Sequence, residues 1–232
     1  MIRPAFLAAS LLLLATSTAS ANGRFPSAQE FHQAPGANRD LMVVRATFGL
    51  LVSVDRGRRW EYWCEDALLY GDGYDPPLSY AADGTLLVAL EDGLVTTRNG
   101  CTFRRQPDLE SLTVKDLASS PDGRVTWAIA VTRNAMPDSR VARSTDNGLT
   151  FDFVGDRFPG VVLQTIEVAG SDPMRLYASG TLNADGSAVL YRSVDGGVRW
   201  ERAGARFGEA TGVYVSGVDG RSEERRVGKE CL

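Results

Sequence analysis

Histidine is almost missing from this chain: among 232 residues only His32 is present. A multi-histidine metal site is therefore out of reach, and a Ser-His-Asp triad would depend on that single imidazole. Cysteine is scarce as well, with Cys64, Cys101 and Cys231 the only three. With Cys231 set aside because it falls in the unusual C-terminal tail, two cysteines and one histidine are too few for a zinc centre. Positive charge is outweighed, 25 Lys and Arg against 29 Asp and Glu. An acidic chain without a basic run is a poor partner for nucleic acid or an anionic membrane. No apolar run is long enough to cross a bilayer, and helix-like spacing is confined to the first residues.

Those first residues read as an export signal. Arg3 gives the positive start, Phe6 to Ala15 the short apolar stretch, and Ala19-Ser20-Ala21 the small residues of a cleavage site. Residues 1–21 are expected to be removed, leaving a chain that begins near Asn22. The expected location is secreted, periplasmic or at the cell surface, with no membrane insertion after cleavage.

The rest of the chain is organised by repetition. Ser53-Val54-Asp55-Arg56-Gly57-Arg58-Arg59-Trp60 recurs as Thr96 to Phe103 with Gly100, as Ser144 to Phe151 with Asp146 and Gly148, and as Ser193 to Trp200 with Asp195 and Gly197. A spacing of roughly 40–50 residues marks an array of small stacked sheets. Between the boxes lie short β-rich runs: Ala28 to Gln33, Met42 to Ala46 and Leu50 to Val54 in the first unit, for example. Asp83-Gly84, Asp92-Gly93 and Asp122-Gly123 separate further runs, and Asp-Gly between β-branched stretches is a strong hairpin signal. Four antiparallel strands per unit, repeated radially, is the plan of a β-propeller blade. The reading is all-β, with about four blades over residues 22–220 and Tyr214 to Gly217 as the first strand of a fifth.

These boxes resemble the Asp-box, or BNR, repeat Ser-x-Asp-x-Gly-x-x-Trp of sialidase-like and sortilin-like propellers. The chain is also similar to photosystem assembly-factor propellers. The resemblance implies a structural role for the box, on the hairpin between the third and fourth strands. Ser53, Asp55, Ser144, Asp146, Ser193 and Asp195 would accept backbone N–H bonds that the turn cannot make internally. Gly57, Gly100, Gly148 and Gly197 would supply left-handed backbone. Trp60, Phe103, Phe151 and Trp200 would point inward and fill the space between blades. In the second copy Arg98 stands in the Asp position, so that turn needs another acceptor, such as Asn99.

No catalytic, cofactor or metal residue is assigned. His32 is expected at a strand end rather than in a site. Asp72 and Asp75 in the loop Tyr70 to Pro77 supply too few oxygens for calcium, and Asn183 to Ser187 reads as an ordinary turn. A sialidase would need an arginine triad, a tyrosine nucleophile paired with a glutamate, and an Arg-Ile-Pro-like segment. Arg24-Phe25-Pro26 lacks the isoleucine, and sequence alone does not bring Glu167 and Tyr177 together. Cys64 and Cys101 are expected to pair in an oxidising compartment, closing a loop worth roughly 4 kcal/mol. Two free buried thiols are the alternative.

Residues 221–232 resemble the translation of a sequencing-adapter oligonucleotide, which makes the ring incomplete; an open propeller with two unpaired edges is expected to be unstable or to aggregate. The functional expectation is an exported, non-enzymatic propeller that binds or scaffolds an unknown protein or glycan. A sialidase-like glycosidase and an assembly-factor-like chaperone are the alternatives.

Overall fold

The computed structural model describes residues 25–68, 70 and 74–203. The export signal, the strand expected at Tyr214, the adapter-like tail and Asp72 lie outside these residues.

Four antiparallel sheets of four strands each follow one another along the chain as a four-bladed β-propeller. Blade 1 comprises β1 (Ala28–Gln33), β2 (Met42–Ala46), β3 (Gly49–Ser53) and β4 (Glu61–Trp63). Blade 2 comprises β5 (Leu78–Tyr80), β6 (Leu86–Leu90), β7 (Gly93–Thr97) and β8 (Arg104–Arg105). Blade 3 comprises β9 (Leu112–Ser119), β10 (Thr126–Thr132), β11 (Ser139–Ser144) and β12 (Asp152–Phe158). Blade 4 comprises β13 (Val161–Ala169), β14 (Asp172–Leu182), β15 (Ala188–Ser193) and β16 (Glu201–Arg202). Each blade is a plain antiparallel meander, its successive strands joined by short turns that include Asp83-Gly84, Asp122-Gly123 and the boxes.

The core is three apolar layers, one between each pair of successive blades. Val43, Leu50 and Val52 of blade 1 meet Leu78, Val88 and Val95 of blade 2. Leu87 and Leu94 on the other side of blade 2 meet Val114, Ala128 and Phe151 of blade 3. Trp127, Ile129 and Val141 of blade 3 then meet Leu163, Leu176 and Val189 of blade 4. Blade 2 is therefore covered on both faces, and every residue of β6 and β7 is buried. That is why Leu86-Leu87-Val88-Ala89-Leu90 is continuously apolar, whereas the edge strand β1 keeps an alternating pattern of exposure.

Candidate functional site

The first strands of the four blades, β1, β5, β9 and β13, neighbour one another in turn and surround a central cavity of about 310 Å3. Its polar lining includes Glu30 and His32 of blade 1, Ser79 of blade 2, Asp116 and Ser119 of blade 3, and Glu167 of blade 4. Three of these strands carry an irregularity close to those residues. The register slips between Ala28 and Glu30 in β1, between Val114 and Asp116 in β9, and between Leu163 and Thr165 in β13. Such bulges re-aim side chains out of strict alternation.

Glu30 is the anchor of this cluster. Its Oε1 lies 2.8 Å from His32 Nε2, and its Oε2 lies 3.0 Å from Arg45 Nη1. Arg45 is itself fixed by donating to the Pro76 carbonyl at 3.0 Å. Burial works to raise the Glu30 carboxyl, but the adjacent His32 imidazole and the Arg45 guanidinium outweigh it and hold the group below its ordinary value. Glu167 lacks that support. Burial and the nearby Glu30 charge push it up to about 7. Asp116 also rises to about 7, mainly through burial; hydrogen bonds from Ile166 and Leu117 oppose the rise, and Glu167 and Glu30 add to it. At neutral pH the cavity thus holds one firm carboxylate and two groups that carry a proton part of the time. Ser119 adds hydroxyl chemistry, 2.6 Å from Ser79 Oγ and 2.8 Å from Thr126 Oγ1. No Lys or Arg is among the described residues that line it.

His32 lies near the end of β1, as expected, and also lines the central cavity. Glu167 and Tyr177 are brought together, directly opposed across the β13–β14 ladder. Glu30 and Asp116 carried no signal of their own in the sequence, because each is one acidic residue in an ordinary β run.

The boxes lie at the outer ends of the blades and reproduce one hydrogen-bond pattern. Ser53, Ser144 and Ser193 accept the amides of Gly57, Gly148 and Gly197 at 2.8, 2.9 and 2.9 Å. Each serine hydroxyl also donates to the carboxylate of its box, Asp55, Asp146 or Asp195. Those carboxylates accept the amides of Arg59, Thr150 and Arg199 at 2.8, 3.0 and 2.8 Å. In blade 2 the accepting hydroxyl belongs to Thr97, not to Thr96 as the sequence alignment of boxes implies. Thr97 Oγ1 accepts the Gly100 amide at 3.0 Å, and Asn99 Oδ1 accepts the Cys101 and Thr102 amides, each at 3.0 Å. The second box is one residue shorter between its hydroxyl and its glycine, so Arg98 is a spacer and Asn99 does the work of Asp.

The box also meets the preceding blade. A Cβ on Gly100 would run into the Trp63 ring of blade 1. The Gln106 amide of blade 2 donates to the Gly148 carbonyl of blade 3, and the Trp127 indole of blade 3 donates to Gly196 of blade 4 at 3.0 Å. Phe151 is accordingly buried, while Phe103 and Trp200 pack at the margins of the blade 1–2 and blade 3–4 layers. Trp60 departs from the expected inward position. It is 40% exposed and folds over its own turn, its indole donating to the Gly57 carbonyl at 3.0 Å.

The expected Cys64–Cys101 bridge is not formed, and both residues are exposed free thiols. The box turn directs Cys101 onto Asn99, and the Trp63 ring beside Cys64 occupies the space over Gly100.

No family model matches the chain. A xyloglucanase of Hypocrea jecorina (strain QM6a) is 28% identical over 165 residues, covering 70% of this chain and 18% of the enzyme. The Niastella koreensis GH74 enzyme superposes with a TM-score of 0.51 at 16% identity, over 73% of this chain and 28% of its own. A prolyl endopeptidase structure superposes with a TM-score of 0.50 at 13% identity, over 78% of this chain and 30% of its own. The fold is a β-propeller. The chain spans less than a third of each of these proteins, and glycosidase and peptidase propellers resemble it about equally, so the shared fold leaves the chemistry to the residues of the site.

Proposed function

We propose that the chain acts as a binding propeller of an exported protein and takes a neutral, hydroxyl-rich glycan into its central cavity without cleaving it. The observation that carries this reading is the lining: three carboxyl groups and a serine pair converge from four blades, with no lysine or arginine among the described lining residues. Glu30 offers a fixed acceptor, while Asp116 and Glu167 can donate or accept, which matches sugar hydroxyls. The same lining opposes an anionic sugar. A sialic acid carboxylate would meet Glu30, whose neighbouring Arg45 is already paired with that glutamate, which weighs against a sialidase-like activity in this portion of the protein. The 28% identity to a xyloglucanase supports a glucan-type ligand.

The test is equilibrium binding to a panel of neutral and sialylated oligosaccharides, with xyloglucan fragments among the neutral ones. Binding confined to neutral sugars is expected, and preference for the sialylated members would overturn the reading.

One observation favours hydrolysis as a second reading. Glu30 is held low and Glu167 is raised to about 7, the opposed titration that separates a carboxylate from a general acid in glycosidases. Release of reducing ends from xyloglucan by the chain, abolished by Glu167→Gln, would establish it in place of simple binding.

A further inference from the structure

The lining of the central cavity is confined to one end of the propeller axis. It begins at Glu30 in β1, Ser79 in β5, Asp116 in β9 and Glu167 in β13, and no earlier residue of these strands takes part. From there it runs to the turns that follow the strands, where the exposed Gln33 and Pro121 form the mouth. The cross-strand rows Gln33–Met42–Ser53 and Ser119–Thr126–Ser144 place this mouth on the same face as the boxes.

The other end is crossed by a strap. Tyr74-Asp75-Pro76, the stretch that leads into β5, is held to blade 1 by Gln29, whose Nε2 donates to Asp75 Oδ2 at 2.9 Å. On the far side the Tyr74 hydroxyl reaches blade 3 and donates to the Val114 carbonyl at 3.4 Å. Gln29 adjoins Glu30, and Val114 precedes Asp116 by two residues, so both anchors lie just beyond the two carboxyls, on the side away from the mouth. Arg45 secures the middle of the strap. Its Nη1 donates to the Pro76 and Asp75 carbonyls at 3.0 and 3.3 Å, and it meets Glu30 Oε2 at 3.0 Å. Arg45 touches Glu30 without lining the cavity, which puts it beneath the floor.

We propose that the cavity is a blind socket that receives the end of a neutral glucan chain, so that the propeller recognises chain termini and not segments within a chain. The inference rests on the glycan reading above and narrows it. A chain held at mid-length needs a groove or a tunnel, with a way out on each side of the bound rings. The strap removes the second way out. A volume of about 310 Å3 is at the small end of ligand cavities, which run from roughly 300 to 1,000 Å3, so the socket has room for about one or two sugar rings. The terminal ring meets Glu30 and Asp116 at the floor and then the Ser79–Ser119 pair, while the rest of the chain leaves past Gln33 and Pro121. Arg45 and His32 fix Glu30 before the ligand arrives, the preorganisation on which a site with so few contacts depends.

Isothermal titration of the full chain with a soluble, unbranched β-glucan tests this, because the termini of such a polymer are its chain ends alone. Equal masses are compared intact and after partial hydrolysis, with the ends counted by a reducing-sugar assay. Binding sites per gram should rise in proportion to the ends, with the affinity per end unchanged. A second arm places single cysteines in a Cys64→Ser, Cys101→Ser, Cys231→Ser background and labels each with a bulky polyethylene glycol maleimide. The label on Gln33→Cys, at the mouth, should abolish binding. The label on Gln164→Cys, an exposed position earlier in β13 than the lining, should leave binding intact. Sites per gram that ignore hydrolysis, or equal losses from the two labels, overturn the inference and leave the glycan reading in place. So does a β-glucan that fails to bind where xyloglucan fragments bind. Failure of both sugars removes the glycan reading and this inference with it.

Discussion

Asp116 of blade 3 accepts the backbone amide of Ile166 of blade 4 at 2.8 Å through Oδ2, while its Oδ1 accepts the Leu117 amide at 2.9 Å. One side chain thus joins two inner strands and also lines the central cavity. The two roles make opposite demands. The amides favour an ionised carboxyl, whereas burial and the charges of Glu167 and Glu30 favour a protonated one, and the balance puts Asp116 at about 7.

A pH dependence of stability follows. The folded chain holds protons on Asp116 and Glu167 that the unfolded chain releases from its ordinary carboxyls at 3.8 and 4.5. Stability contributed by these two groups is therefore full only below the unfolded values of 3.8 and 4.5 and is lost progressively as pH rises from there through about 7. Asp55, Asp146 and Asp195 are held low and act in the opposite sense, losing their contribution as pH falls through the acid range. Thermal melts across this span should show the highest Tm in mild acid. Asp116→Asn keeps an acceptor for Ile166 and should flatten the fall toward neutrality; an unchanged slope would remove Asp116 as its source.

The shortened blade 2 box separates two neighbouring threonines. Thr97→Val removes the acceptor of the Gly100 amide and should cost about 1–2 kcal/mol. Thr96→Val, at the position that sequence alignment of the boxes favours, should cost under about 1 kcal/mol, because Thr97 holds the turn hydrogen bonds. Chemical denaturation of the two variants compares them directly, and a larger loss from Thr96→Val would restore the longer box.

Gly100 and Gly186 have similar backbone, with φ of 66° and 69°. Gly186 has open space where a Cβ would stand, whereas Gly100 has the Trp63 ring. Gly186→Ala should cost roughly 1 kcal/mol from backbone strain alone. Gly100→Ala should cost roughly 2–4 kcal/mol, since strain and overpacking add. Equal losses in denaturant titrations would show that the box glycine serves only its own turn.

Cys64 and Cys101 are exposed and unbridged. In a Cys231→Ser background, thiol titration of the folded protein without reductant should count two reactive groups. A count of zero, rising to two on reduction, would show that the bridge forms.

Much of this architecture is written locally. Asp-Gly turns and boxes each specify a hairpin within a few residues, and β1 and β2 span the runs Ala28–Gln33 and Met42–Ala46 that the sequence marks. The blade 2 box was legible only in part, because Thr96 and Thr97 are both threonines and only the turn geometry tells which hydroxyl faces Gly100. Trp60 was misplaced because the partner of a box aromatic is the preceding blade, and no described blade precedes the first. The cavity was the least legible feature. Glu30, Asp116 and Glu167 are far apart in sequence, each is unremarkable alone, and only the convergence of β1, β9 and β13 makes them neighbours.

The occupant of that cavity decides what the propeller does. Isothermal titration of a neutral xyloglucan oligosaccharide into the wild-type chain and into Glu167→Gln is the measurement. Binding by the wild type, weakened several-fold in the variant because the amide lacks the ionised acceptor that Glu167 presents part of the time, is the predicted result. Wild-type binding that Glu167→Gln leaves unchanged, or no binding of the neutral sugar at all, would contradict it.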